Sequence, residues 1–503
     1  MDNHSSLLDL IANLENAKEN IRLEFKISKN SLPKSFWETY SSFANTQGGF
    51  IILGVDENSP NVVVGVDNAE KIKNEIFSVA NNKSKVSCNL LEDSNVREHV
   101  INDKTIVSVY VPELEDKKKP LYLNDDLKFT YIRKSDGDYR ASMDDLRRLI
   151  RNSHDNVDSE LLDERKYTIE DLNLDSVLMF KNLLHQREPS KHFLEMSDFD
   201  FLKTVGVFRI DRDDERKIKL TLAGLLFLGK FEAITSKIPH FHLEYINKRG
   251  KNVVTRWSDR ISTGGSANLN LFEFHRIVLE KLRLTVEEKF ELDSMSVRRS
   301  ETELNVALRE ALTNMIVHAD YLDSENTTKI EVDDLYYVFF NAGRMKVSET
   351  QFFNGGQSVT RNPILFQFFR RLGYCERAGT GGKEIADVYQ KIGKYRFPDL
   401  EIAPNHTSLK LWCAVPVETY PELSQHAQRV FKIMDKNGNF KKSDIIRATG
   451  LSEYYVREAI KELQSKNLVL THGKGPATRY FCNLSRVEKM NVADKLRNLV
   501  MNS

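Results

Sequence analysis

From about residue 298 to residue 416 the hydrophobic period changes from helix to strand and back to helix. This order constrains the fold more than any other feature of the chain. Residues 303–318 have helical spacing, and 328–332 and 336–341 alternate as strands do. A Gly-rich turn at 354–356, a helix at 363–372, a second Gly-rich loop at 379–382, a helix from Lys383 and an alternating strand at 408–415 follow. Helices that bury one face against an antiparallel sheet give an α/β sandwich. The same reading predicts a mixed α+β domain over 1–152. It takes strands from 21–27, 50–55 (FIILGV), 62–66, 86–91, 105–111 and 129–133, and helices from 34–46 and 143–151. A polar stretch at 152–167 is a linker, and 168–297 is a connector region with helices expected at 172–186 and 270–290. Residues 425–483 give three short helices and two strands, the order of a winged helix-turn-helix. A chain of 503 residues is too long for one core, so the fold class expected is α+β multidomain.

Three groups of residues carry chemistry. Glu310, Asn314 and His318 recur every four residues, on one face of one helix. A carboxylate and an amide so spaced can activate a water and hold Mg²⁺ between phosphates; a solvated polar helix face has the same spacing. Asn341 and Gly343 end a strand, and Gly379, Thr380, Gly381 and Gly382 precede a helix, where backbone N–H groups can cradle phosphate. Near the N-terminus, Glu19 and Glu24 bracket the start of a strand, Lys26 shares a face with Glu24, and Asp56 and Glu57 end the FIILGV strand. Carboxylates at strand ends can converge on a divalent metal, with Lys26 neutralising a phosphate; surface charges give the same pattern. In the last region Ser452 can cap a recognition helix that presents Tyr454, Tyr455 and Arg457, and Lys474 and Arg479 flank a wing suited to a phosphate backbone. Winged helices also serve as protein–protein modules.

The segments ALREALTNMIVHADY, NAGR, GGQSVTRNPILFQFFRRLG and ERAGTGGKEI resemble, in order, the divergent ATPase domain of the gyrase, histidine-kinase and heat-shock-chaperone (GHKL) superfamily. The variant is the one in bacterial proteins described as transcriptional regulators or RecG-helicase-like. The resemblance implies ATP as ligand, Glu310 as general base, Asn314 as Mg²⁺ ligand and Arg361 in a lid. Asn341 and Gly343 stand where the superfamily has Asp-x-Gly-x-Gly; the Asp is replaced and the second Gly is missing. Glu24-Phe-Lys26, Ser42-Phe-Ala-Asn45-Thr-Gln-Gly48-Gly49, Gly54-Val-Asp56-Glu57 and TYIRKSDGDYRAS resemble the Schlafen-type AlbA-related domain. Some animal Schlafen proteins cleave tRNA and rRNA with three carboxylates. The resemblance implies Glu19, Glu24 and Asp56 or Glu57 as a Mg²⁺ or Mn²⁺ site, and Arg133 and Arg140 facing phosphate. The animal enzymes use two such lobes, so one lobe here implies a homo-oligomer.

Charge is uneven. The whole chain is neutral, but 427–503 carries 15 Lys and Arg against 7 Asp and Glu, a net charge of +8. A basic tail on an acidic body points to nucleic acid. Four scattered cysteines without a Cys-x-x-Cys pair suggest a reducing cytoplasm, and no apolar run reaches the roughly 18 residues that cross a membrane. The sequence therefore leads to an ATP-regulated nucleic-acid-binding protein, with a metal-dependent endoribonuclease of stress or anti-phage defence as its sharper form. A non-catalytic, ATP-responsive DNA-binding transcriptional regulator is the alternative, and a nucleotide-dependent scaffold is the third.

Overall fold

The computed structural model describes residues 19–56, 63–101, 103–153, 157–214, 216–250, 256–265, 269–290, 297–356, 359–375, 379–434, 438–473, 475 and 478–483. Two compact units emerge, residues 1–155 and 156–503.

In the first unit β1 (Leu23–Lys26) is followed by α1 (Phe36–Asn45), β2 (Gly49–Leu53), α2 (Ala69–Ala80), β3 (Val96–Ile101) and β4 (Lys104–Val111). These strands form a sheet of order β1-β2-β4-β3, with β1 and β2 parallel and the other pairs antiparallel. Phe36, Tyr40 and Phe43 of α1 are buried against Ile51, Leu53, Val107 and Val109. A small sheet of β5 (Tyr122–Leu123), β6 (Asp126–Lys134) and β7 (Gly137–Arg140) precedes α3 (Met143–Ser153). The strands expected at 62–66 and 86–91 reduce to isolated bridges, Val55 with Val63 and Val86 with Leu123. Residues 96–101 form a strand the apolar pattern hides: β3 is an edge strand with only Val96 fully buried.

The second unit opens with α4 (Leu174–Arg187), α5 (Asp198–Val205), the hairpin β8 (Phe208–Ile210) and β9 (Ile218–Leu220), α6 (Leu222–Leu228) and α7 (Phe231–Lys237). Then come β10 (Leu243–Asn247), β11 (Asp259–Ser262), α8 (Leu271–Phe290), α9 (Val297–His318), β12 (Thr328–Val332), β13 (Tyr336–Ala342), α10 (Glu349–Asn354), α11 (Pro363–Arg371), α12 (Gly381–Ile392), β14 (Asp399–Ile402) and β15 (His406–Trp412). The strands make one sheet of order β11-β10-β12-β13-β15-β14. It is mixed rather than antiparallel, because β10 and β12 run parallel. The crossover carries helices α8 and α9, which cover the sheet. One core cluster runs from Leu162 to Cys413, so residues before and after 298 bury the same apolar face. Leu304, Leu308, Ala311, Leu312 and Met315 form the buried stripe of α9.

The chain then forms α13 (Gln425–Met434), α14 (Lys442–Thr449), α15 (Glu453–Ser465), β16 (Val469–His472) and β17 (Arg479–Cys482). These elements have their own small core around Val430, Phe431, Ile445, Val456, Ile460 and Leu463. Ser452 caps α15, its hydroxyl accepting the Tyr455 N–H. The α+β fold class read from the sequence is the one observed. Among the described residues no helix is long and apolar enough to cross a membrane, and all four cysteines are free thiols.

Asp158 ties the start of the second unit to its sheet layer. Its Oδ2 accepts the N–H groups of Ile364 (2.7 Å) and Leu365 (3.0 Å), capping α11. Burial pushes this carboxyl from the ordinary 3.8 up to about 6, although the Leu365 and Ile364 N–H groups and Arg209 pull it back. A raised folded-state value means that the folded chain keeps a proton the unfolded chain has lost. The stabilisation is therefore complete below about pH 4 and lost as pH rises towards 6. Asp158→Asn should remove this dependence. The difference in unfolding free energy between the wild type and the variant should fall by on the order of 3 kcal/mol between pH 4 and 7. Urea denaturation across that range measures it, and a flat difference would refute the assignment.

Candidate functional site

The second unit contains a cleft between α9 and the sheet. Its floor follows from strand pairing. Phe339 pairs with Leu409 and Asn341 with Thr407, so these four side chains share one face of β13 and β15. Ala311, Asn314, Met315 and His318 of α9 form the opposite wall. Gly343–Val347, Gln351, Phe352, Val359 and Arg361 form one rim, and Gly379, Gly381 and Gly382 the other.

The glycines are required by contact. At Gly343, φ is +92°, and a Cβ would lie 2.9 Å from Asp320 Cβ and 3.1 Å from Arg361 Nη2. At Gly381 a Cβ would lie 2.6 Å from Asn314 Nδ2 and 3.0 Å from Glu310 Oε2. The loop backbone thus packs directly on α9. Asn314 Nδ2 and Asn341 Oδ1 are buried with no hydrogen-bond partner among the described residues. A buried polar atom without a partner is costly, and functional sites are where such atoms persist. Arg344, Lys346 and Arg361 bring positive charge to the rim; Arg361 donates to the Arg344 carbonyl at 2.9 Å and lies 3.9 Å from Asp320. Burial, then Arg361 and Lys346, push His318 down to about 4, so its ring is neutral at pH 7.

Sequence reading and structure differ over Glu310 and Thr380. Glu310 is 2 % exposed and lies behind Gly381, outside the cleft lining. Its Oε1 is 3.1 Å from Arg309 Nη2. Thr380 lines a separate shallow groove with Lys383 and Glu384. Arg344, Lys346, Met345 and Thr407 line the cleft although the sequence did not single them out. Arg344 had a signal, as the last residue of the NAGR segment, and Thr407 stands one residue before the closing strand expected at 408–415.

In the first unit the side chains of Glu24 and Lys26 point to the α1 side of β1, away from the apolar cluster of Leu23 and Phe25. There they meet Arg133 of β6 and Asp138 of β7, which pair across the hairpin. Glu24 is 2.8 Å from Lys26 Nζ and 2.7 Å from Arg133 Nη2, and Arg133 Nη1 is 2.9 Å from Asp138. Thr39 and Ser42 hydroxyls donate to Asp138, Lys26 donates to Ser35 at 3.2 Å, and Arg133 lies over the Phe43 ring. Two buried anions and two buried cations neutralise one another.

Two residues singled out by the sequence have protein partners in this network. The Arg133 side chain is enclosed by Glu24, Asp138 and the Asn20 and Leu23 carbonyls. Lys26 pairs with Glu24. Glu19 is committed as well, since its Oε1 accepts the Phe25 N–H at 2.8 Å. Among the described residues no three His, Cys, Asp or Glu side chains come together to hold a metal ion. Asp56 is partly buried just after β2, and Glu57 lies outside the described residues, as does Lys474 in the last region. Among the described residues, Glu24 has two cations beside it, Lys26 and Arg133. Arg140 lies over the exposed side of the hairpin, with its guanidinium on the Phe129 ring.

On α15, Tyr454 and Tyr455 are exposed. Tyr455 stacks on His426 at 4.3 Å, and Arg457 lies over the Tyr454 ring and beside Glu458. Lys442 pairs with Glu453 at 2.5 Å, holding α14 to the start of α15. Arg479 opens β17 opposite His472.

Comparison with known proteins adds three family models. "Schlafen, AlbA_2" matches residues 19–142. "Putative ATP-dependent DNA helicase recG C-terminal" matches 337–411, which includes Asn341, Gly343, Arg361 and Gly379–Gly382 but begins after α9. A domain of unknown function matches 147–244. Among solved structures, a crystallised protein of Corynebacterium diphtheriae is 14% identical, covers 95% of this chain and 100% of its own, and has a TM-score of 0.38. The N-terminal domain of a RecG-related protein of Nitrosomonas europaea, solved by NMR, is 28% identical over 26% of this chain and 85% of its own, with a TM-score of 0.20. No curated protein matches the chain.

Proposed function

We propose that this chain, which joins a Schlafen AlbA_2 domain to a RecG C-terminal ATPase-type domain, binds nucleic acid under the control of a bound nucleotide. One observation carries the nucleotide half: a cleft in which Asn314 Nδ2 and Asn341 Oδ1 are buried without partners among the described residues. An amide donor on one wall, an acceptor on the floor, apolar walls and a cationic rim suit a base at one end and phosphates at the other. ATP is the nucleotide we assign. Mg²⁺ fits through Asn314 alone, with phosphate and water completing its shell; bound there, it would neutralise phosphate charge.

Nucleic acid is the proposed partner of the first unit and of the C-terminal helices, which we read as a winged helix. Arg140 beside Phe129, and Tyr454 and Arg457 at the start of α15, combine a cation with an aromatic face, the pairing that stacks on bases and meets phosphates. The network around Glu24 supports nucleic-acid binding by the first unit; the endonuclease is the sharper form of the reading and the DNA-binding regulator the alternative.

The test incubates the full chain with labelled tRNA, single-stranded RNA and duplex DNA, with and without ATP, Mg²⁺ and Mn²⁺. Binding should weaken steeply with salt, as counterion release requires, and ATP should change the affinity for at least one substrate. Affinity indifferent to both salt and ATP would sink the proposal. Metal-dependent cleavage that disappears in Glu24→Ala would replace binding alone with the nuclease.

A further inference from the structure

We propose that Arg309 is a positioning residue that latches Glu310 away from the nucleotide cleft, so that ATP is held rather than rapidly hydrolysed. The inference rests on the ATP reading above. One guanidinium nitrogen of Arg309 serves two carboxylates: Nη2 is 3.1 Å from Glu310 Oε1 and 3.5 Å from Glu384 Oε1. Glu310 belongs to α9 and Glu384 to the first turn of α12. That first turn also carries Gly381, which lines the cleft and packs against both Glu310 Oε2 and the Asn314 amide. The arrangement therefore ties together the wall helix, the glycine wall and the buried Glu310 carboxylate.

The two halves of the latch differ in strength. Glu310 is buried, so its pairing with Arg309 is felt in a poorly screened environment. Glu384 and Arg309 are both partly exposed, so their contact is weakly held and easily broken. Breaking it removes one tie between α9 and the first turn of α12, and so eases displacement of the glycine wall, while leaving the buried charge compensated. Once the wall moves, Glu310 can accept a proton from a water. The water oxygen forms a bond to the γ-phosphorus, the bond from that phosphorus to the β–γ bridging oxygen breaks, and ADP leaves with the electron pair. While Arg309 and Gly381 hold the carboxylate, Glu310 does not take that proton.

The experiment compares the full-length wild type with Glu384→Gln, Arg309→Gln and Glu384→Gln/Glu310→Gln. ATP affinity is measured by calorimetry and phosphate release is followed as a function of pH. Glu384→Gln should raise the turnover rate about three- to tenfold with ATP affinity unchanged within twofold, and adding Glu310→Gln should abolish the gain. Arg309→Gln should raise turnover and move the acid limb of the pH profile to higher pH, because removing a cation favours the protonated carboxyl. A purely structural role would change melting temperature or affinity and leave the acid limb in place. Turnover in Glu384→Gln no faster than in the wild type, with ATP bound equally well, overturns the latch, and so does a gain that survives Glu310→Gln. Absence of ATP binding in the wild type is a different result: it overturns the nucleotide reading itself.

Discussion

Arg133→Ala is expected to destabilise the first unit by on the order of 3–5 kcal/mol, a large share of the roughly 5–15 kcal/mol that holds a domain together. The physical reason is what remains behind. Arg133 compensates Glu24 and Asp138 and fills the carbonyl acceptors of Asn20 and Leu23. Without it, Glu24 keeps Lys26, whose ammonium also donates to Ser35, and Asp138 keeps the Thr39 and Ser42 hydroxyls. Arg133→Lys should recover part of the loss, because one ammonium replaces the charge but cannot reach both carboxylates and both carbonyls as the fork does. Chemical denaturation of the three proteins checks the order. Equal stability of Arg133→Ala and the wild type would show that the network is solvated rather than closed.

Asn314→Ala should act in opposite directions on binding and on stability. In the free protein Asn314 Nδ2 is buried without a partner among the described residues. Removing it deletes an uncompensated donor, so the melting temperature should hold or rise slightly. Toward nucleotide the same change leaves a ligand acceptor facing methyl. Affinity should fall by about 2 kcal/mol, or on the order of 30-fold. Gly381→Ala should lower affinity through the same side chain, because its Cβ would displace the Asn314 amide. Calorimetric titration with ATP, paired with a thermal melt, separates the two effects. Unaltered affinity in both variants would remove this face of α9 from the binding site.

Much of the second unit was legible because its elements are long and regular. The helix of Glu310, the strands at 328–332 and 336–342 and the glycine turns all stand where period and punctuation put them. Spacing of four placed Asn314 and His318 on the cleft wall. The same spacing could not say that Glu310 is turned behind Gly381, since that depends on how closely α12 packs on α9. In the first unit, hairpin register is the signal that could have revealed the network: Arg133 and Asp138 face each other across a tight turn, while the resemblance alone set Arg133 toward phosphate. Strand β3 and helix α2 were missed because each offers a single thin apolar stripe among charges.

What the sequence determined is the set of local structures and the chemical types available at each end of them. Hydrophobic period fixes which face of α9 is buried, and positive φ fixes Gly343, because both are decided within a few residues. What only the tertiary structure decided is partnership. Whether Glu24 meets a metal or Arg133 depends on residues more than a hundred positions away, brought within 2.7 Å by sheet and hairpin packing. Charge neutralisation at such distances depends on three-dimensional placement, which a one-dimensional pattern of charges does not contain.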